Sequence, residues 1–110
     1  MIKTGVSLKG LQPQMVLAAM AVQQAMQKYG YSLTITGGSE GGHSTTGLHP
    51  KGLALDFRSK HIQMMDKPYL LTDIKYALGP EFDVLLEFPG AANEHLHIEF
   101  DPKPKEPIDA

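Results

Sequence analysis

Two short segments hold most of the residues in this chain that could do metal chemistry. The first runs Ser44-Thr45-Thr46-Gly47-Leu48-His49-Pro50-Lys51-Gly52-Leu53-Ala54-Leu55-Asp56-Phe57-Arg58 and offers an imidazole at His49 and, seven positions on, a carboxylate at Asp56. The second, Glu94-His95-Leu96-His97-Ile98-Glu99-Phe100, adds two imidazoles and further carboxylates. Imidazole and carboxylate donors, a position left for water and an acid/base close by make up the set that a catalytic zinc uses. The chain has no cysteine. Disulfides, thiolate metal sites and a cysteine nucleophile are therefore excluded. A metal must be held by histidine and carboxylate, which points to zinc or another borderline divalent ion and not to an iron–sulfur centre.

The elements that position these groups follow from length and pattern. At 110 residues, 42% hydrophobic and 20% charged, the chain suits one small globular domain. A net charge of −2 gives no electrostatic footprint for nucleic acid. The longest apolar stretch, Met15 to Met26, is too short to span a bilayer. No signal-peptide pattern is visible at the start, so the expectation is synthesis in the cytoplasm, no membrane partner and a monomer.

Pro13 and an apolar face over Met15, Val22 and Met26 predict a helix over 13–29, with Gly30 as its stop. Alternation predicts strands over 31–36 and 52–57. Asp66 is expected to cap a helix over 68–78 that Gly79-Pro80 ends. Two further strands are expected over 82–88 and 95–100. The expected fold is therefore α+β, a single domain with helices on one face of a small, largely antiparallel sheet. Residues 1–101 form the domain and 102–110, with Pro102, Pro104 and Pro107, a Pro-rich tail. The glycines from 37 to 42 do not form a phosphate-binding loop, because no lysine–hydroxyl pair follows Gly47; they are expected to border the site.

Strand parity sets Asp56 and Arg58 on the face opposite Leu53, Leu55 and Phe57. A carboxylate in so apolar a strand needs a cationic partner or a metal. Parity likewise sets His95, His97 and Glu99 together, opposite Leu96 and Ile98. Strict alternation would turn Glu94 away from that group, but it lies at the strand entrance, where alternation need not hold. Glu87, which ends the preceding strand, is the competing carboxylate. His43 could contact substrate or an oxyanion. Arg58, the only arginine in the chain, is expected either to orient Asp56, the favoured role, or to grip a substrate carboxylate.

These motifs resemble the zinc D,D-carboxypeptidase and L-alanyl-D-glutamate endopeptidase family, which includes vancomycin-resistance D,D-peptidases and many phage endolysins. Gly47 to Arg58 resembles the first metal motif and Glu94-His95-Leu96-His97 the second, with similarity over residues 34–102. The resemblance implies Zn2+ held by His49, Asp56 and His97, with Glu94 as catalytic acid/base; His95 is expected to support the site or contact substrate, while its shared parity with His97 leaves a ligand role open. It implies a metallopeptidase whose substrate is the D-amino-acid-containing stem peptide of peptidoglycan, acting at the bacterial cell wall. The family's arginine near the Thr-Ser-Gly approach is missing between Gly37 and Gly42, where His43 is the nearest polar substitute. The small size resembles phage or prophage members, and substrate capture is expected to rest on the catalytic domain itself. The alternative is an inactive zinc-holding domain of the same fold.

Overall fold

A computed structural model of the chain describes residues 1–40 and 47–103. His43 and the last seven residues of the expected tail lie outside the described residues. Six elements follow in order: α1 (Pro13–Lys28), β1 (Ile35–Gly37), β2 (Ala54–Arg58), α2 (Lys67–Leu78), β3 (Phe82–Glu87) and β4 (His95–Phe100). The strands form one antiparallel sheet in the order β1-β2-β4-β3. This is the expected α+β architecture. Among the described residues no helix is long and apolar enough to cross a membrane.

Helix α1 starts where Pro13 needs no hydrogen-bond acceptor for its nitrogen. It buries Met15, Ala18, Val22, Ala25 and Met26, spaced three, four, three and one apart, along one stripe. It stops at Gly30, whose φ of 82° lets Tyr31 N–H return to Met26 O at 2.8 Å. Helix α2 buries Leu70 and Ile74 and ends at Gly79. Both helices meet the sheet face that carries Leu55, Phe57, Leu96, Ile98 and Val84, and these residues form the core. The other face carries Asp56, Glu87, His95, His97 and Glu99, together with the half-exposed Leu85.

The first strand differs from the expectation over 31–36: pairing begins only at Ile35. The residues before it are held by other partners. Tyr31 donates its hydroxyl to the Asp66 carboxylate and accepts Gln63 N–H at 3.0 Å. Asp66 consequently makes no side-chain cap on α2, contrary to the sequence reading. On its outer edge Ile35 pairs with the N-terminal segment through a parallel bridge to Ile2 and a 2.9 Å hydrogen bond from Lys3 N–H to Ile35 O. The third predicted strand ends one residue early, at Glu87, because Phe88 turns the chain with a φ of 51°.

Candidate metal centre

The central β2–β4 pair builds the site. Its register sets Asp56 opposite His97 and Arg58 opposite His95, and β3 adds Glu87 opposite His95. Period-two alternation sends all of these side chains to the helix-free face. On that face Asp56 Oδ1 lies 2.8 Å from His97 Nδ1 and 3.7 Å from His95 Nε2. Glu87 Oε1 lies 3.0 Å from His95 Nε2 and 3.7 Å from His97 Nδ1. The other Asp56 oxygen, Oδ2, lies 3.4 Å from His49 Nε2, and the His49 and His97 rings are 5.2 Å apart between centroids.

Asp56, Glu87, His95 and His97 thus form a cluster that could hold a metal ion, with donor atoms all within 4.8 Å of one another. Nitrogen and oxygen ligands about 2.1 Å from a shared tetrahedral centre would stand roughly 3.4 Å apart. The separations of 2.8–3.7 Å bracket that spacing.

Each imidazole has an acceptor on the nitrogen that faces away. His49 Nδ1 lies 2.9 Å from Gly38 O, His95 Nδ1 3.0 Å from Asn93 O, and His97 Nε2 2.7 Å from Glu99 Oε1. With an N–H donated outward in each case, the nitrogen left facing the carboxylates of Asp56 and Glu87 is a lone pair. Metal-binding histidines are oriented in this way. Without a cation between them, lone pairs and carboxylate oxygens repel, and a proton is the simplest substitute. His97 reflects this. Burial disfavours its charge, yet hydrogen bonds to Asp56 and Glu99 and the charges of Asp56 and Glu87 outweigh burial and raise its pKa to about 9. For Asp56 burial again opposes the charge, and hydrogen bonds from His49 and His97 overcome it, so its pKa lies below the ordinary carboxylate range.

Gly37 is needed for this arrangement. It pairs with Asp56 across β1–β2, and a Cβ on residue 37 would stand 2.5 Å from Asp56 Oδ2. By sequence this glycine stands at the start of a loop; its place opposite a half-buried acid depends on strand pairing.

Two expectations are corrected. Glu94 does not join the cluster with its carboxylate. Its parity is that of Leu96 and Ile98, and it turns toward the helical face, where it is 5% exposed. There Ser59 donates to Oε2 at 2.6 Å, Lys67 to Oε1 and Oε2 at 2.9 and 3.0 Å, and Gly90 N–H to Oε1 at 3.0 Å. Burial raises the pKa of Glu94, but Ser59, Gly90 N–H and Lys67 outweigh it and bring the value down to about 2. The strand entrance did not override alternation. Arg58, for its part, makes no hydrogen bond or ion pair with Asp56 among the described residues; its side chain is exposed.

A pocket of about 320 Å³ opens next to the cluster, and its lining includes Lys3, Arg58, Lys60, Asp56, Asn93 and His95. A larger pocket of about 520 Å³, between the end of α2 and β3, is lined by Tyr76, Pro80 and Phe82 among others and brings no imidazole. Asp83, Glu99 and Asp101 form a second acidic group, with Lys103 bound to Asp83 and Asp101. No family model, curated protein or solved structure matches the chain.

Two outcomes are expected. Gly37→Ala should keep the fold but displace the Asp56 carboxylate and weaken binding of a divalent metal at the cluster about 10–100-fold, as loss of ligand orientation generally does; titration with a divalent metal, with circular dichroism to check the fold, tests this, and an unchanged affinity would show that Asp56 has room to spare. Glu94→Gln should destabilise the domain by about 3 kcal/mol at neutral pH, because it strands a partly buried Lys67. The folded-state pKa of Glu94 is lowered from 4.5 to about 2, so its contribution is complete above 4.5 and lost as pH falls toward 2. Urea midpoints across that window should therefore slope less in the variant than in the parent, and equal slopes would remove Glu94 from the acid response.

Proposed function

We propose that this chain is a zinc-dependent peptidase that hydrolyses an amide bond in the peptidoglycan stem peptide, of the endolysin-like kind that the sequence motifs resemble. The observation that carries the reading is the outward tie on each of His49, His95 and His97, which leaves three imidazole nitrogens facing Asp56. The donors are histidine and carboxylate, as zinc takes them in hydrolytic sites. His49, Asp56 and His97 would hold the ion, and His95 stands close enough to join or replace one of them. When bound, such a metal supplies an acidified water and a Lewis acid for the scissile carbonyl.

The chain's own residues then have defined tasks. Glu87, whose side chain is 38% exposed and 3.0 Å from His95, takes the water proton on its carboxylate as the water oxygen bonds to the carbonyl carbon. It passes that proton to the leaving amine as the C–N bond breaks. Glu94 was the sequence-based choice for this task; with both oxygens engaged by Lys67 it is the weaker candidate. Glu94 instead fixes the loop before β4 through Gly90 and so sets where His95 and Asn93 stand. Glu99 holds the His97 ring by its far nitrogen.

The same engagement of Glu94 favours a second reading, a metal-holding domain of this fold without hydrolysis. Digestion of purified peptidoglycan, with and without chelator, followed by mass analysis of the released ends, separates the two. New amine ends that vanish with chelator support the peptidase; bound zinc with no new ends supports the second reading.

His49→Ala and His97→Ala should each lose most of the zinc, and full retention in either variant would remove that residue from the ligand set. Saturating zinc at about 100 times its dissociation constant should stabilise the fold by about 2.7 kcal/mol, seen as a melting temperature that chelator lowers. Glu87→Gln should keep zinc and lose activity by about 10²–10⁴-fold. Zinc lost together with activity would make Glu87 a ligand, and an active Glu87→Gln beside a dead, folded Glu94→Gln would return the base to Glu94.

A further inference from the structure

Asp56, His95 and His97 stand on paired strands, and the sheet ladder fixes their backbone. His49 lies ahead of β2, outside the sheet, so other contacts must fix it. Its turn is closed by hydrogen bonds from Lys51 N–H to Leu48 O at 3.1 Å and from Gly52 N–H to His49 O at 3.0 Å. Its ring meets Gly38 O at 2.9 Å.

The segment from Ser7 to Gln12 is tied to both supports. Ser39 N–H donates to Ser7 O at 2.8 Å, and Ser39 Oγ donates to Lys9 O at 2.7 Å. Gln12 N–H donates to Gly52 O at 3.0 Å on the other side. Glu40 closes the first tie. Its Oε1 accepts Gly38 N–H at 2.8 Å and Ser7 N–H at 3.1 Å. The backbones approach so closely that a Cβ on residue 38 would run into Ser7 O, and one on residue 52 into Gly10 O. Both obstacles are main-chain atoms and cannot swing aside as the end of a side chain can.

We propose that Glu40 and the segment Ser7 to Gln12 form a clamp that sets His49 for the ion, with Glu40 as a positioning residue. This rests on the metal-binding part of the reading above and is independent of hydrolysis. A peptide unit is planar, so the hydrogen bond from Ser39 N–H to Ser7 O also fixes the direction of Gly38 O, the atom that His49 Nδ1 meets. Glu40 holds the preceding peptide unit by Gly38 N–H. Glycine is the residue with the greatest backbone freedom, and at Gly38 the clamp holds the peptide unit on each side. With Gly38 O held in place, the His49 proton stays on Nδ1 and the Nε2 lone pair faces Asp56.

The test titrates a divalent metal into the full chain and its variants, with circular dichroism to check the fold. Glu40→Ala removes the acceptor and should weaken binding about 10–100-fold, the range for groups that orient a ligand. Glu40→Gln keeps an oxygen acceptor without the charge and should retain nearly the parent affinity. An equal loss in both variants would show that the charge acts and not the position, which overturns the clamp. Parent affinity in a folded Glu40→Ala overturns it as well. Gly38→Ala forces residue 38 and Ser7 apart and should show the same loss by a second route; parent affinity there counts against the clamp. In a His49→Ala background Glu40→Ala should cost nothing more, because its effect runs through His49; a full additional loss would overturn the proposal. If His49→Ala itself keeps full affinity, the metal reading of His49 fails, and the clamp is judged on the metal-free protein. Nitrogen-15 NMR of the neutral His49 ring should then report the proton on Nδ1 in the parent and a mixture of tautomers in Glu40→Ala. A parent ring protonated on Nε2, or an unchanged tautomer in Glu40→Ala, would overturn the clamp.

Discussion

Asp56 carries its charge on the outer face of the sheet, 2.8 Å from His97 Nδ1 and 3.4 Å from His49 Nε2. Burial works against that charge, and the surrounding imidazoles restore it. Much of the site follows from meeting this one demand. Gly37 lacks a side chain because the carboxylate needs its space. Gly38 O, Asn93 O and Glu99 hold the rings of His49, His95 and His97 from behind. A cation at the centre would satisfy the carboxylates and the imidazole nitrogens together, whereas protons can satisfy them only in part.

Alternation made most of this legible before any coordinates. The pattern Leu55-Asp56-Phe57-Arg58 shows one apolar and one polar direction, and so does His95-Leu96-His97-Ile98. From these alone Asp56, His95, His97 and Glu99 fall on a shared face, given that the two strands are neighbours. Glu94 shows the cost of making an exception to that rule. Its parity matches Leu96, and the structure follows parity, using Lys67 and Ser59 to satisfy a charge that would otherwise be stranded in the core. Lys67 lies 27 residues away and no local pattern announces the pair. The short β1 was equally hidden, because what competes for residues 31–34 comes from elsewhere: Asp66, Gln63 and the N-terminal residues. Arg58 shares the Asp56 face, as parity implies, but makes no hydrogen bond or ion pair with it among the described residues.

The two faces of the sheet are coupled at the loop between β3 and β4. Glu94 reaches into the helical layer to Lys67 at the start of α2, and it also receives Gly90 N–H from the loop. Asn93 and His95 flank it and belong to the outer face, where both line the pocket. A buried ion pair is weak evidence for stability but an effective means of fixing one conformation. Here the conformation fixed is that of the residues beside the donor cluster.

The pairing of β2 with β4 also has a consequence for how the protein reaches its native state. Asp56 and His97 are 41 positions apart, and a contact of that span forms only after a long loop has closed. His49 and Asp56 alone are neighbours in the unfolded chain and make a poor metal site. A metal ion present during refolding would therefore gain its full set of donors only once the central strands have met. It would act on the stability of the finished sheet and on its rate of unfolding, while leaving the early steps of folding to the helices and their local contacts.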